Sequence, residues 1–198
     1  MEEIKKVDIF GCPIMFKDIK LNNEILEKFI LDLNKKQKSR YRSNVGGWQS
    51  NNLNLDIKEL NPLILNIVKC CFEYAVQQKF KNNSKISLAN MWANVNGYKD
   101  INQIHIHPYS MISGVYYVKC PKNCGDICFR HPSTAMEYDW ATEHFEEHTE
   151  TNCSNCCFPA IKGRLYLFPS WLSHKVMPNM NKKEKRICLS FNTNLKVF

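Results

Sequence analysis

Hydrophobic and polar positions follow two different rhythms along the chain, with the change after residue 80. Before it, VDIFGCPIMF (7–16) alternates apolar and β-branched residues well enough to predict an opening strand. LNNEILEKFILDLNKKQ (21–37) then repeats its apolar residues at helical spacing and predicts a helix. RSNVGGWQSNNLN (42–54) has paired glycines and many amide side chains and reads as a loop, with Trp48 either a packing anchor or a pocket wall. NPLILNIVKCCFEYAVQQKF (61–80) predicts a second helix, capped by Asn61 and carrying Pro62 in its first turn.

Beyond residue 80 the apolar stretches are short, β-branched or aromatic, and separated by Gly, Pro, Asn or Lys. KISLANMWANVNGY, QIHIH, MISGVYYVKC, DICFR, GRLYLFP, HKVMP and RICLSFNTNLKVF read as about seven strands. Two helices followed by such a series predict a mainly β protein, a sandwich or barrel with flanking helices. One domain over 1–198 accommodates this, with 1–82 packing on a β core at 86–195. Residues 131–160, acidic and cysteine-rich, lie between two predicted strands and read as an insertion or lid.

Composition narrows the class. With 44% hydrophobic and 23% charged residues the chain can bury a real core. It shows no apolar run of bilayer length and no signal-peptide pattern, so a cytoplasmic protein is expected, in a host cell if the source is viral. In that setting the ten cysteines read as reduced thiols or metal ligands, with Cys12, Cys70, Cys71 and Cys188 as small buried hydrophobes. The net charge of +8 suits an anionic partner but also a solvated lysine-rich surface.

Chemistry concentrates at three places. In IHIHP, His105 and His107 are two apart, and on an extended strand both imidazoles face the same way and can reach one ion. His174, on another predicted strand, can close the triangle. Three ligands on one side leave the opposite positions for co-substrate and O₂, the arrangement of oxygen-activating iron sites. Twelve residues on, Arg186 opens the strand RICLSFN, where its planar fork matches a carboxylate, and Ser190 and Asn192 share its face.

WANVNGY, HIHPYSMISGVYYVKCP, GRLYLFPSWLSHKVMPN and RICLSFN resemble the 2-oxoglutarate/Fe(II) oxygenases found in phages and marine bacteria, and SNVGGWQS resembles their N-terminal pattern. The resemblance implies a double-stranded β-helix, or jelly-roll, of cupin-like form. It implies Fe(II) as cofactor, with 2-oxoglutarate and O₂ consumed, succinate and CO₂ released, and a C–H bond hydroxylated. His105 and His174 fall on the family's iron-binding histidines and Arg186 on its 2-oxoglutarate-binding arginine. Tyr117, Ser113 and Ser190 are candidates to assist it; Tyr116 and Tyr117 alternate, so one of them faces inward.

In the wider superfamily the position of His107 holds Asp or Glu. Either His107 binds the metal, or a carboxylate from elsewhere does, with Asp126 and Asp139 as candidates.

Rival readings are a zinc peptidase through HFEEH (144–148), which satisfies H-x-x-E-H, and a catalytically silent metal-binding jelly-roll. A structural zinc site drawn from Cys120, Cys124, Cys128, Cys153, Cys156 and Cys157, with Cys120, Cys124, Cys153 and Cys156 foremost, is compatible with the oxygenase. Among substrates a protein or peptide side chain comes first, a small metabolite second and an alkylated base third. For the last, no aromatic-and-arginine stacking arrangement is legible, and nucleic acid is not the expected partner. The sequence does not set the oligomeric state, a homodimer included.

Overall fold

The computed structural model describes residues 11–140, 142–149 and 151–197. Two antiparallel sheets face each other. The first has six strands in the order β1 (Met15–Asp18), β9 (Arg164–Pro169), β6 (Ile112–Lys119), β11 (Arg186–Val197), β4 (Ser84–Asn96) and β3 (Trp48–Gln49). The second has five, in the order β2 (Asn44–Val45), β5 (Ile101–His105), β10 (His174–Val176), β7 (Ile127–Arg130) and β8 (Asn155–Phe158). From β4 onward the chain changes sheet at each strand except β7 to β8, which gives the jelly-roll that the family resemblance implies.

Helices α1 (Asn23–Lys36) and α2 (Asn61–Gln77) cover the outer face of the six-stranded sheet. α1 begins where the Asn22 side chain accepts the Glu24 N–H at 3.2 Å. Its Leu26 and Ile30, with Leu63, Ile67 and Tyr74 of α2, pack against Met91, Tyr116, Leu165 and Leu189 of the sheet. Burying each large aliphatic side chain is worth about 1.5–3 kcal/mol, so packing holds this layer. The solvent-exposed Lys17–Glu73 pair adds little.

Several expectations shift. Residues 7–10 of the predicted opening strand lie outside the described residues, and β1 starts at Met15. Asn61 is the first residue of α2 and makes no cap; Leu60 holds the cap position without a side-chain bond, because a 3₁₀ turn at Lys58–Leu60 leads directly into the helix. Trp48 is the packing anchor, buried in the main core with its Nε1 donating to the Gln37 carbonyl at 2.9 Å. The glycine loop carries the short strands β2 and β3. It crosses between the sheets through Gly46 (φ 67°) and Gly47 (φ 61°), and a Cβ at Gly46 would fall 2.0 Å from Asp100 Oδ1.

The insertion holds 3₁₀ turns at Thr134–Glu137 and Thr142–His144 and then β8, a strand the sequence reading missed. Register sets Cys128 opposite Cys157 with Cα atoms 4.0 Å apart, and the two are joined, as are Cys153 and Cys156. Four of the cysteines expected as thiols or metal ligands are therefore disulfides. The Cys120–Cys124–Cys153–Cys156 quartet does not assemble, because Cys153 and Cys156 bond to each other while Cys120 and Cys124 hydrogen-bond to each other. Among the described residues no helix is long and apolar enough to cross a membrane.

Gly114 is crowded by its own sheet: a Cβ there would lie 2.4 Å from the Phe191 ring of the neighbouring β11 and 2.7 Å from the Tyr166 carbonyl oxygen of β9. Gly114→Ala is expected to lower the urea unfolding free energy by on the order of 2 kcal/mol, and an unchanged midpoint would contradict this packing.

Candidate active site

The inward face of the six-stranded sheet is set by strand alternation. In β11, Ile187, Leu189 and Phe191 enter the core under the helices, while Arg186, Cys188 and Ser190 point between the sheets. In β4, Met91, Ala93 and Val95 face the helices, and Asn90, Trp92 and Asn94 face inward. In β6, Tyr117 faces inward and Tyr116 outward, its hydroxyl donating to Asn23 Oδ1 at 2.7 Å. A cavity of about 650 Å³ lies between the sheets.

The second sheet supplies the histidines. His105 ends β5, His174 begins β10, and they are direct cross-strand partners. β5 stops at His105, so His107 lies beyond the strand; its backbone N–H donates to the Ser170 carbonyl at 2.9 Å, which ties it beside the pair. The ring centroids lie 4.3 Å (His105–His174), 5.0 Å (His105–His107) and 5.1 Å (His107–His174) apart. Their ligand atoms all fall within 4.8 Å of one another, so a single ion can be held by the three.

The tautomers suit that role. Nδ1 of His105 lies 2.7 Å from the Gln103 carbonyl and Nδ1 of His174 lies 2.9 Å from that of Leu172. A carbonyl only accepts, so each Nδ1 carries the proton and each Nε2 lone pair is free for a metal. Burial beside Phe129 and Phe168 pushes His174 down to about 3, helped by the neighbouring histidines. Burial and His105 take His107 down to about 4, and burial lowers His105. All three are neutral at pH 7, the form that binds metals.

Arg186 is fully buried, and its Nη1 donates to the carbonyls of Cys124, Gly125 (3.2 Å) and Met177 (3.0 Å). Its other edge, Nε and Nη2, is buried without a partner, and among the described residues no carboxylate pairs with it. The Tyr117 hydroxyl and Asn94 Oδ1 are likewise buried and unbonded. Burial is the main cause that raises the Tyr117 phenol well above its ordinary range, so it stays protonated and able to donate.

Not every expected residue joins the site. Ser190 lines the cavity and accepts from Asn94 Nδ2 at 3.2 Å. Ser113 and Asn192 bond to each other at 2.8 Å and do not line it. Asp126 and Asp139 are exposed and outside the histidine cluster, which contains no carboxylate. His144 ends a 3₁₀ turn and His148 follows in irregular chain, so HFEEH lacks the helical turn its peptidase reading requires. Sequence reasoning missed Asn94, Cys188, Arg40 and Arg42 at the cavity; the alternation N-x-W-x-N in β4 was the signal for Asn94, whereas Arg40 and Arg42 sit in a loop without periodicity.

The jelly-roll thus brings together three histidines that could hold one ion, two of them on one sheet and His107 just past its strand, and a buried, half-satisfied arginine on the other sheet. The family described as "Putative 2OG-Fe(II) oxygenase" matches residues 90–192, and the chain belongs to it. It is thus an oxidoreductase, a 2-oxoglutarate-dependent oxygenase, and its family implies Fe(II) and 2-oxoglutarate.

Solved structures of similar fold include a prolyl-4-hydroxylase from Pseudomonas putida (10% identity, TM-score 0.60, 91% of each chain covered). A viral collagen prolyl hydroxylase from Paramecium Bursaria Chlorella virus-1, solved with 2OG, is 15% identical (TM-score 0.58, 91% of this chain and 94% of that one). A Trichoplax adhaerens prolyl hydroxylase bound to a hypoxia inducible factor peptide is 13% identical (TM-score 0.60, 94% and 84%). No protein of the curated set matches the chain.

The depressed histidines make the metal-free protein acid-sensitive. Each takes up its proton more readily when unfolded, so stability is complete above the unfolded pKa and is lost as pH falls toward the folded one. Between about pH 7.5 and about pH 5, His174 alone should cost about 2 kcal/mol at 1.36 kcal/mol per unit. Urea unfolding at the two pH values measures it; His174→Phe should flatten the dependence, and an equally steep loss in that variant would refute the assignment.

Proposed function

We propose that His105, His107 and His174 bind Fe(II), that Arg186 binds the distal carboxylate of 2-oxoglutarate, and that the protein hydroxylates a C–H bond of a substrate entering the same cavity. The observation that carries this reading is the unpaired edge of Arg186. A guanidinium buried without a counter-ion is costly. Here the three carbonyls satisfy only Nη1 and aim the Nε/Nη2 edge, whose two parallel donors fit the two oxygens of one carboxylate.

The metal donors fit as well. Three neutral imidazoles leave a divalent ion its full charge, where a ligating carboxylate would remove one unit, so a dianionic co-substrate supplies the charge balance. His105 and His174 are oriented by their Nδ1–H bonds, which favours Nε2 ligation. Tyr117 offers a hydroxyl donor within the cavity and Ser190 a second one, since Ser190 Oγ accepts from Asn94 and keeps its own proton to donate. With iron and 2-oxoglutarate bound, the centre supplies the oxidising chemistry, releasing succinate and CO₂. The chain's residues orient the acid, hold water out around His174, and admit substrate from the open side. A protein or peptide side chain is the substrate class favoured first, on the analogy of the prolyl hydroxylases of similar fold.

Anaerobic titration of apoprotein with Fe(II) and 2-oxoglutarate should give the weak visible charge-transfer band of a chelated 2-oxoglutarate, and air should then yield succinate. Arg186→Lys should weaken 2-oxoglutarate binding by on the order of 10- to 100-fold, the loss of one or two charge-assisted hydrogen bonds. His107→Ala should abolish iron retention and Asp126→Ala should preserve it. Neither band nor succinate in the wild type would overturn the proposal.

A further inference from the structure

The cavity has a floor and a mouth. His174 and Arg186 are buried, whereas Arg42 and Tyr41 are exposed, Tyr41 to 82%, yet all four line the same space. Arg40, half-buried, lines it too. The exposed Asn52, Gln103, Ile104 and Ile106 complete the mouth, and one side of it is built from the tripeptide Arg40-Tyr41-Arg42.

Its backbone is fixed from both sheets. The Arg40 N–H donates to the Gln49 carbonyl at 2.9 Å, and the Gln49 N–H donates to Ser39 Oγ at 3.1 Å, which ties the segment to β3. The Gln103 N–H donates to the Ser43 carbonyl at 2.7 Å, and Asn102 Nδ2 to Ser43 Oγ at 3.2 Å, which ties it to β5. Asn44 Oδ1 accepts the Arg42 N–H at 2.9 Å. The segment is a strap spanning the sandwich, with a held main chain and free side chains.

The five arginines of the chain separate sharply by partner. Arg130 makes a two-point bond to Glu137 and Arg164 one to Asp18, while Arg186 holds three carbonyls. Arg40 and Arg42 have neither an ion pair nor a side-chain hydrogen bond among the described residues. No Asp or Glu lines the cavity, so nothing within it neutralises them. Asn90 Oδ1, on the cavity wall, is buried without a partner and can accept from a hydroxyl or amide of a bound molecule.

Resting on the active-site reading above, we propose that Arg40 and Arg42 form an oxyanion clamp and that the substrate is an acid. It carries a carboxylate or phosphate at the cavity mouth while the carbon to be oxidised reaches the histidines. Two guanidiniums on a pre-fixed backbone bind such a group in the fork geometry that lysine lacks, and lose little loop entropy in doing so. At this exposure the clamp selects and orients more than it adds raw affinity.

The test uses the full chain and three probes followed by calorimetry at low salt: inorganic pyrophosphate for the phosphate source, acetyl-Asp-Asp-amide for the carboxylate source, and acetyl-Asn-Asn-amide as the neutral match. At least one anionic probe should bind, at least about tenfold tighter than the neutral one, and weaken about tenfold in Arg40→Gln/Arg42→Gln. Lys28→Gln/Lys69→Gln removes the same charge from exposed positions on the outer helices and should leave that binding intact. Which anionic probe binds identifies the source. Equal binding of the neutral and anionic probes, no binding of either acid, or equal weakening in the lysine variant would overturn the clamp. The visible band of the wild-type protein tests the iron site separately, so one reading can fail while the other stands.

Discussion

The pairing of β11 between β4 and β6 is the constraint on which the molecule turns. Arg186 to Asn192 are opposed on one side by Asn96 to Asn90 and on the other by strand β6. Because side chains alternate along a strand, a slip of one residue would carry Ile187, Leu189 and Phe191 into the cavity and drive a guanidinium into the apolar layer under the helices. The apolar positions therefore lock the register, and the polar ones receive their orientation as a by-product. The core and the site are two faces of one strand.

The two sheets divide the chemistry. Arg186, Tyr117, Ser190 and Asn94 stand on the six-stranded sheet, and His105 and His174 on the five-stranded one. Neither sheet holds a complete site. Their spacing is maintained by the Phe129–Phe168 contact across the interior, with ring centroids 5.0 Å apart, and by the residues 42–50 that cross from one sheet to the other. The aromatic packing that fixes the sandwich also dries His174, so the same contacts set the geometry and the protonation of the cluster.

How much of this was legible in the sequence depended on whether a feature was written in a local period. The helices, seven of the eleven strands among the described residues, and the inward face of Arg186 follow from alternation or helical spacing, whereas His107 lies past the end of β5 and reaches His105 through its bond to the Ser170 carbonyl rather than through strand alternation. What failed had no period. The cap at Asn61 lost to a preceding 3₁₀ turn, and the pairing of Cys128 with Cys157 follows from a register that only the folded sheet sets. Ser113 and Asn192 have the right alternation but lie one register step past the cavity, where they satisfy each other. Alternation gives the face and not the depth.

The strap at residues 39–44 has an evolutionary consequence. Its place is held by main-chain atoms and by Ser39, Ser43 and Asn44, with the φ-positive glycines just beyond, while the half-buried Arg40 and the exposed Tyr41 and Arg42 lie outside the hydrophobic core, at the entrance. With the proposed clamp, substitution there would alter what is recognised without disturbing the histidines, the arginine at the floor or the core beneath them. Such a fold would keep its reaction in one mutational compartment and its choice of partner in another, so that new substrates would need only three residues rewritten.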